Sequence, residues 1–123
     1  IEHLRDGEEK IIEHCYNLLK KGGYLIVGIP NEDSFSGRIS RALHRKLYFN
    51  SEHFNYYCED SIISLVKPQG FSVISIERIG FLFPLYYLHM FLISVRPLFL
   101  LGHYLTKILP SCADSLIVTF IKS

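Results

Sequence analysis

Residues 24–29, Tyr-Leu-Ile-Val-Gly-Ile, form an unbroken apolar run between Gly22-Gly23 and Pro30. The run does not alternate and is bounded by turn residues, so it reads as a strand buried on both faces, as in a parallel sheet. Residues 6–23, just before it, read as a helix with both ends marked. Asp6 is placed to cap the N-terminus, with Glu9 three residues on to reciprocate. Ile11, Ile12, Cys15, Tyr16, Leu18 and Leu19 share one broad helical face. Lys20 and Lys21 suit the negative end of the helix dipole, and Gly22-Gly23 stops the helix by permitting positive φ. Helix followed by buried strand is half of a βαβ unit, so the expected class is α/β.

The 123 residues suffice for one domain around one hydrophobic core. Apolar residues make up 49% and charged residues 20%, which argues against disorder. Thirteen Lys and Arg against twelve Asp and Glu leave a net charge of +1, so no nucleic-acid partner is expected. Cys15, Cys58 and Cys112 are odd in number and widely spaced. That pattern is not a disulfide framework, and it fits a reducing, cytoplasmic setting. With no C-x-x-C spacing, no metal site is expected. The charged start, IEHLRDGEEK, does not read as a signal peptide, and it opens at Ile1 rather than Met. The expectation is that the chain is part of a longer protein.

Beyond Pro30 the sequence is irregular to residue 36, and residues 36–47 then read as a helix with Ile39, Leu43 and Leu47 on one stripe. Arg38, Arg41, Arg45 and Lys46 fall here with no acid between Asp33 and Glu52. They form either a solvated face or a contact for phosphate or an anionic membrane surface. Residues 51–57 read as loop. Residues 59–67 read as a short helix ended by Pro68 and Gly70, and residues 71–79 and 116–121 as strands. Between these strands, residues 81–109 contain only Arg96 and Lys107 as formally charged residues. Pro84, Pro97 and Pro110 divide the segment into two apolar helices. Neither reaches the ~20 residues of a membrane span. The segment reads as a cap over a lipophilic substrate, an interfacial membrane contact with Tyr86, Tyr87 and Tyr104 at headgroup level, or core or a homo-oligomer face. Some of Tyr86, Tyr87, Phe91, Phe99 and Tyr104 are expected to stay exposed.

Three stretches in order resemble the C-terminal half of a class I S-adenosylmethionine-dependent methyltransferase of the type 11 or type 23 kind. Glu2-His3-Leu4 resembles the segment after the fourth sheet strand. Leu18-Leu19-Lys20-Lys21-Gly22-Gly23-Tyr24-Leu25-Ile26-Val27 with Pro30-Asn31 resembles the helix end, fifth strand and following loop. His53-Phe54-Asn55-Tyr56-Tyr57, then Leu65 and Gly70-Phe71-Ser72-Val73, resembles the segment leading into the last antiparallel hairpin. The resemblance implies a partial Rossmann-like methyltransferase sheet ending in an antiparallel strand pair, with an apolar helical insertion at about 81–110. Residues 1–123 would then be the C-terminal part of a single methyltransferase domain.

What the resemblance implies for function is methyl transfer from S-adenosyl-L-methionine. The family's glycine-rich cofactor loop would lie upstream of Ile1, and no G-x-G occurs in this sequence. The chain alone is therefore expected to be inactive and to carry the substrate side of the cleft. Ligands of open α/β sheets bind at the carboxyl ends of the strands. By the resemblance, Glu2, His3, Pro30 and Asn31 lie there, with His3 as a general base for a hydroxyl acceptor. His53 is a second candidate base, and Glu2, Pro30, Asn31 and Tyr56 are candidate substrate contacts. Each has a plainer alternative: Glu2 and His3 as helix cap and rim, Asn31 as a turn residue, His53 as a loop histidine. The acceptor is a small-molecule or lipophilic substrate, and fold alone does not select it. The competing reading is a non-catalytic interaction or membrane-associated module dominated by the basic helix and the apolar stretch.

Overall fold

The computed structural model describes residues 1, 4, 6–42, 55, 57–81 and 94–123. These contain helices α1 (Glu8–Leu18), α2 (Phe35–Ala42), α3 (Glu59–Val66) and α4 (Arg96–Ile108). The strands are β1 (Tyr24–Pro30), β2 (Phe71–Phe81) and β3 (Ala113–Lys122). They form one sheet in the order β1-β3-β2, with β3 antiparallel to both neighbours. The last strand in sequence is thus the middle strand of the three, and β2 and β3 make the expected antiparallel pair.

The position of β3 explains its burial. Leu116, Val118 and Phe120 alternate along the strand and are all but inaccessible. They meet Val27 and Ile29 of β1 and Phe71 of β2 in one cluster, closed from above by Ile12 of α1 and by Ile62 and Val66 of α3. Each such side chain contributes on the order of 1.5–3 kcal/mol relative to exposure. Phe71 faces this core and Ile76 packs against it. Their spacing of five would put them on opposite faces of a regular strand. A register shift between Val73 and Ser75 inserts one residue and restores the phase, leaving Ile74 outside and half exposed.

Strand β1 departs from the expectation of burial on both faces. Val27 and Ile29 are buried, whereas Tyr24 is 60% and Ile26 66% exposed. Helices α1 and α3 close the core on the face that carries Val27 and Ile29. Among the described residues the ladder of β1 runs antiparallel to β3.

Helix α1 is shorter than residues 6–23. It begins after Gly7, which takes a left-handed conformation, and no side chain caps it. Asp6 therefore stands one residue too early to cap, and the expected Asp6–Glu9 box does not form. Glu8 and Glu9 still occupy the positive end of the dipole. The other end is closed from a distance: the Lys122 ammonium donates to the carbonyls of Tyr16 (2.7 Å) and Leu19 (2.9 Å) and lies 3.9 Å from the Tyr16 ring centroid. Lys20 and Lys21, expected to serve there, lie past the helix. Helix α3 begins with a reciprocal pair in which the Ser61 hydroxyl accepts from the Cys58 amide and donates to its carbonyl. Lys67–Gln69 continue as a 3-10 turn, and Gly70 ends it at φ +95° as expected.

Helix α2 covers the first part of the segment read as 36–47, and residues 43–50 lie outside the described residues. So does 82–93, which holds the first of the two expected apolar helices. The second is α4. Among the described residues no helix is long and apolar enough to cross a membrane.

Candidate functional site

The carboxyl end of β1 is where three distant stretches meet. The chain leaves the strand at Pro30, which is half buried, and Asn31, which is 6% exposed. Asn31 is locked in place by backbone groups. Its amide nitrogen donates to the Ala113 carbonyl (2.9 Å), its side-chain oxygen accepts from the Asp33 amide (3.1 Å), and its own N–H donates to the Asp114 carbonyl (2.7 Å). The side chain thus fixes a turn and joins the end of β1 to the start of β3. Ser34 continues the turn into α2: its buried hydroxyl accepts from the Gly37 amide (3.1 Å).

The stretch around residue 55 arrives from the other side. Asn31 and Tyr57 form a parallel bridge, and the Glu32 amide donates to the Tyr57 carbonyl (2.9 Å). Asn55 reaches the N-terminal stretch, donating to the Leu4 carbonyl (2.7 Å) and to the Glu8 carboxylate. Residues adjoining all three candidate stretches are therefore tied together here: Leu4 beside Glu2-His3, Asn31 itself, and Asn55 and Tyr57 on either side of Tyr56. Glu2, His3, His53 and Tyr56 themselves lie outside the described residues.

A cavity of about 550 Å³ opens beside this junction. Asn31, Asp33 and Arg38 form part of its wall, Glu59 and Asp60 enter from the first turn of α3, and Arg78 enters from β2. Pro110 and Ser111, just after α4, complete the rim. Arg78 and Glu59 form an ion pair across it. Both side chains are about a third exposed, so the pair adds little stability. Its consequence is local: it holds a guanidinium and a carboxylate at fixed places on the wall. Three carboxylates and two guanidiniums share the recess with the apolar Pro110 and Leu116.

Sequence reasoning reached Pro30 and Asn31 but not Asn55, Glu59 or Arg78 as members of this region. Asn55 stood inside a motif that drew attention to its neighbours. Arg78 carried no local signal, because only the β2–β3 ladder brings it opposite Leu116 and towards α3. Arg38, read as part of a basic helix face, lines the cavity. The Arg41 side chain, Arg45 and Lys46 are outside the described residues. Among the described residues no group of His, Cys, Asp and Glu is arranged to hold a metal ion. Nor do they include a cradle for a nucleoside cofactor. The positive-φ glycines Gly7, Gly22, Gly70 and Gly80 sit at a helix start, at two turns and inside β2, not in a glycine-rich loop after a parallel strand.

No family model matches the chain. A 66-residue stretch, 54% of the chain, is 32% identical to uncharacterized protein MJ1123 of Methanocaldococcus jannaschii, of which it spans 32%. A SAM-dependent methyltransferase from Archaeoglobus fulgidus superposes with a TM-score of 0.63 at 15% identity, over 98% of this chain and 55% of that one. A second structure, described as a SAM-dependent methyltransferase and possible histamine N-methyltransferase from Thermotoga maritima, superposes with a TM-score of 0.55 at 20% identity. It covers 94% of this chain and 48% of its own. The chain spans about half the length of these structures and a third of the archaeal relative. Its α/β architecture is similar to part of the fold of these two SAM-dependent methyltransferases.

Proposed function

We propose that residues 1–123 form the C-terminal part of a single S-adenosylmethionine-dependent methyltransferase domain, of the type 11 or type 23 kind. In this reading they carry the substrate side of the cleft, and upstream sequence carries the cofactor. The observation that bears most weight is the junction of Leu4, Asn31, Asn55 and Tyr57 at the carboxyl end of β1. That end of an open α/β sheet is where ligands bind. The likeness of nearly the whole chain to about half of two methyltransferases supports the division of labour.

The described residues do not form a cofactor site, so no chemical step is assigned to them through the cofactor. Their part is to hold the acceptor. Methyl transfer depends chiefly on in-line placement of the nucleophile. We assign that placement to the cavity wall, with Glu2, Pro30, Asn31 and Tyr56 on the substrate side. Asn31 acts there by fixing the wall through Ala113 and Asp33. His3 and His53 are the proposed bases, needed where the acceptor is a hydroxyl. The charged recess favours a polar, ion-bearing acceptor among the small molecules such enzymes use.

Titration calorimetry with S-adenosylmethionine tests the assignment. The 123-residue chain alone is expected to give no saturable heat, and the same chain with its native upstream sequence to bind one equivalent. Saturable binding by the short chain, or none by the longer protein, overturns it.

A further inference from the structure

We propose that α4 is a peripheral membrane-binding helix that lies in the plane of an anionic bilayer surface. The proposal is independent of the methyltransferase reading. The helix packs against β2 with Gly102 and Thr106 buried and Leu98 and Leu105 half buried. Thr106 is accommodated because its hydroxyl donates to the His103 carbonyl (2.8 Å). The exposed arc beside that face is apolar over one half. Leu101, Tyr104 and Ile108 follow one another at helical spacing and are 53%, 62% and 60% exposed. Leu100 widens the stripe and is about half exposed.

Charge identifies the occupant. Arg96, His103 and Lys107, all exposed, run along the flank of that stripe. From Arg78 to Ala113 the sequence contains no Asp or Glu. An exposed apolar stripe with an aromatic hydroxyl, flanked on its own helix by basic groups, is the pattern that inserts at the level of anionic headgroups. A helix of 13 residues is about 20 Å long, too short to span about 30 Å of hydrocarbon, so it lies flat. Two other occupants fit less well. A second copy packed antiparallel would set Arg96 against Lys107. An extension of the sheet would add to β1, at the edge opposite β2 on which α4 rests.

Vesicle flotation with the protein at its native length tests this. Binding is expected to vesicles of phosphatidylcholine with about 30% phosphatidylserine, to fall with added salt, and to be weak on phosphatidylcholine alone. Arg96→Gln with Lys107→Gln should lower partitioning about 30-fold, at roughly fivefold per charge. Leu101→Ser with Ile108→Ser should lower it on the order of 100-fold. All four positions are exposed, and unchanged circular dichroism confirms that each variant folds. If the serine pair loses its fold, Tyr104→Ser alone is expected to weaken binding measurably. Absence of binding to anionic vesicles, indifference to both pairs, or a serine pair that turns a dimer into a monomer in light scattering overturns the proposal.

Discussion

Asn31 makes a sharp prediction because both ends of its amide are used and it is 6% exposed. Replacing it with Ala leaves the Ala113 carbonyl without its buried donor and the Asp33 amide without its acceptor. An unsatisfied buried group costs about 1–3 kcal/mol, and the part-buried second bond adds less, so a loss of about 2 kcal/mol is expected. With a urea m-value of about 1.5 kcal/mol/M, the midpoint should fall by roughly 1 M. Asn31→Asp separates the two bonds. The carboxylate still accepts from Asp33, but it now faces the Ala113 carbonyl with no proton to give. Burial and that carbonyl raise its pKa, since only the protonated form can donate. The sign follows from linkage: a carboxyl raised in the folded state is most favourable below its ordinary pKa, and stability is lost as pH rises through the raised value. The Asp variant should therefore approach the parent protein in acid and fall behind it towards neutrality. Urea titrations followed by circular dichroism at several pH values measure this. An Asn31→Ala midpoint within error of the parent, or an Asp deficit that does not vary with pH, would refute the account of Asn31 as the anchor between β1 and β3.

Two further outcomes follow from the fold. Gly70 sits at φ +95°, and a Cβ there would lie 2.8 Å from the Tyr16 ring, so Gly70→Ala should cost at least about 1–2 kcal/mol in the same denaturation assay; a neutral effect would mean that the turn is not held as described. The 123-residue chain should self-associate in light scattering at high concentration, because β1 has one ladder partner among the described residues and exposes Tyr24 and Ile26, whereas a clean monomer would show that edge and face to be covered.

The parts of the fold legible in the sequence were those written in local chemistry. Gly22-Gly23 and Pro30 marked the limits of β1, and Pro68 with Gly70 marked the end of α3, because backbone permission is a property of single residues. Pairing was harder to read. The run Tyr24–Ile29 looked buried on both faces because apolar content does not reveal which face a particular chain covers. Asp6 looked like a cap because its type is right, but Gly7 takes the capping position. Lys122 could not be seen as the closure of α1, since it comes from more than a hundred residues away. The position of Pro30 and Asn31 at the end of β1 was legible from the strand before them, and Tyr104 bore out the expectation that an aromatic in the apolar segment stays exposed. Tyr86, Tyr87, Phe91 and the Phe99 side chain fall outside the described residues. Arg78 and Glu59 became visible only once β2 was registered against β3.

The same long-range dependence shapes how the site is assembled. Its wall rests on β3, the last strand made, because Ala113 receives the Asn31 amide and Leu116 lines the cavity. Asn31 and Ala113 are 82 residues apart, so the recess does not exist until β3 has paired between β1 and β2. Such non-local pairing has to meet the entropy of closing a long loop before its contacts repay it. The stretch before β3 ends in α4, and Pro110 and Ser111, just after α4, form part of the cavity rim. Packing of α4 on β2 therefore does two things at once. It presents the apolar stripe outward, and it delivers the chain to the place where β3 must begin. A surface on which α4 rests would consequently lie close, along the chain, to the mouth of the charged recess, which gives a physical reason for an apolar segment of this kind to stand between the last two strands rather than at a free loop elsewhere.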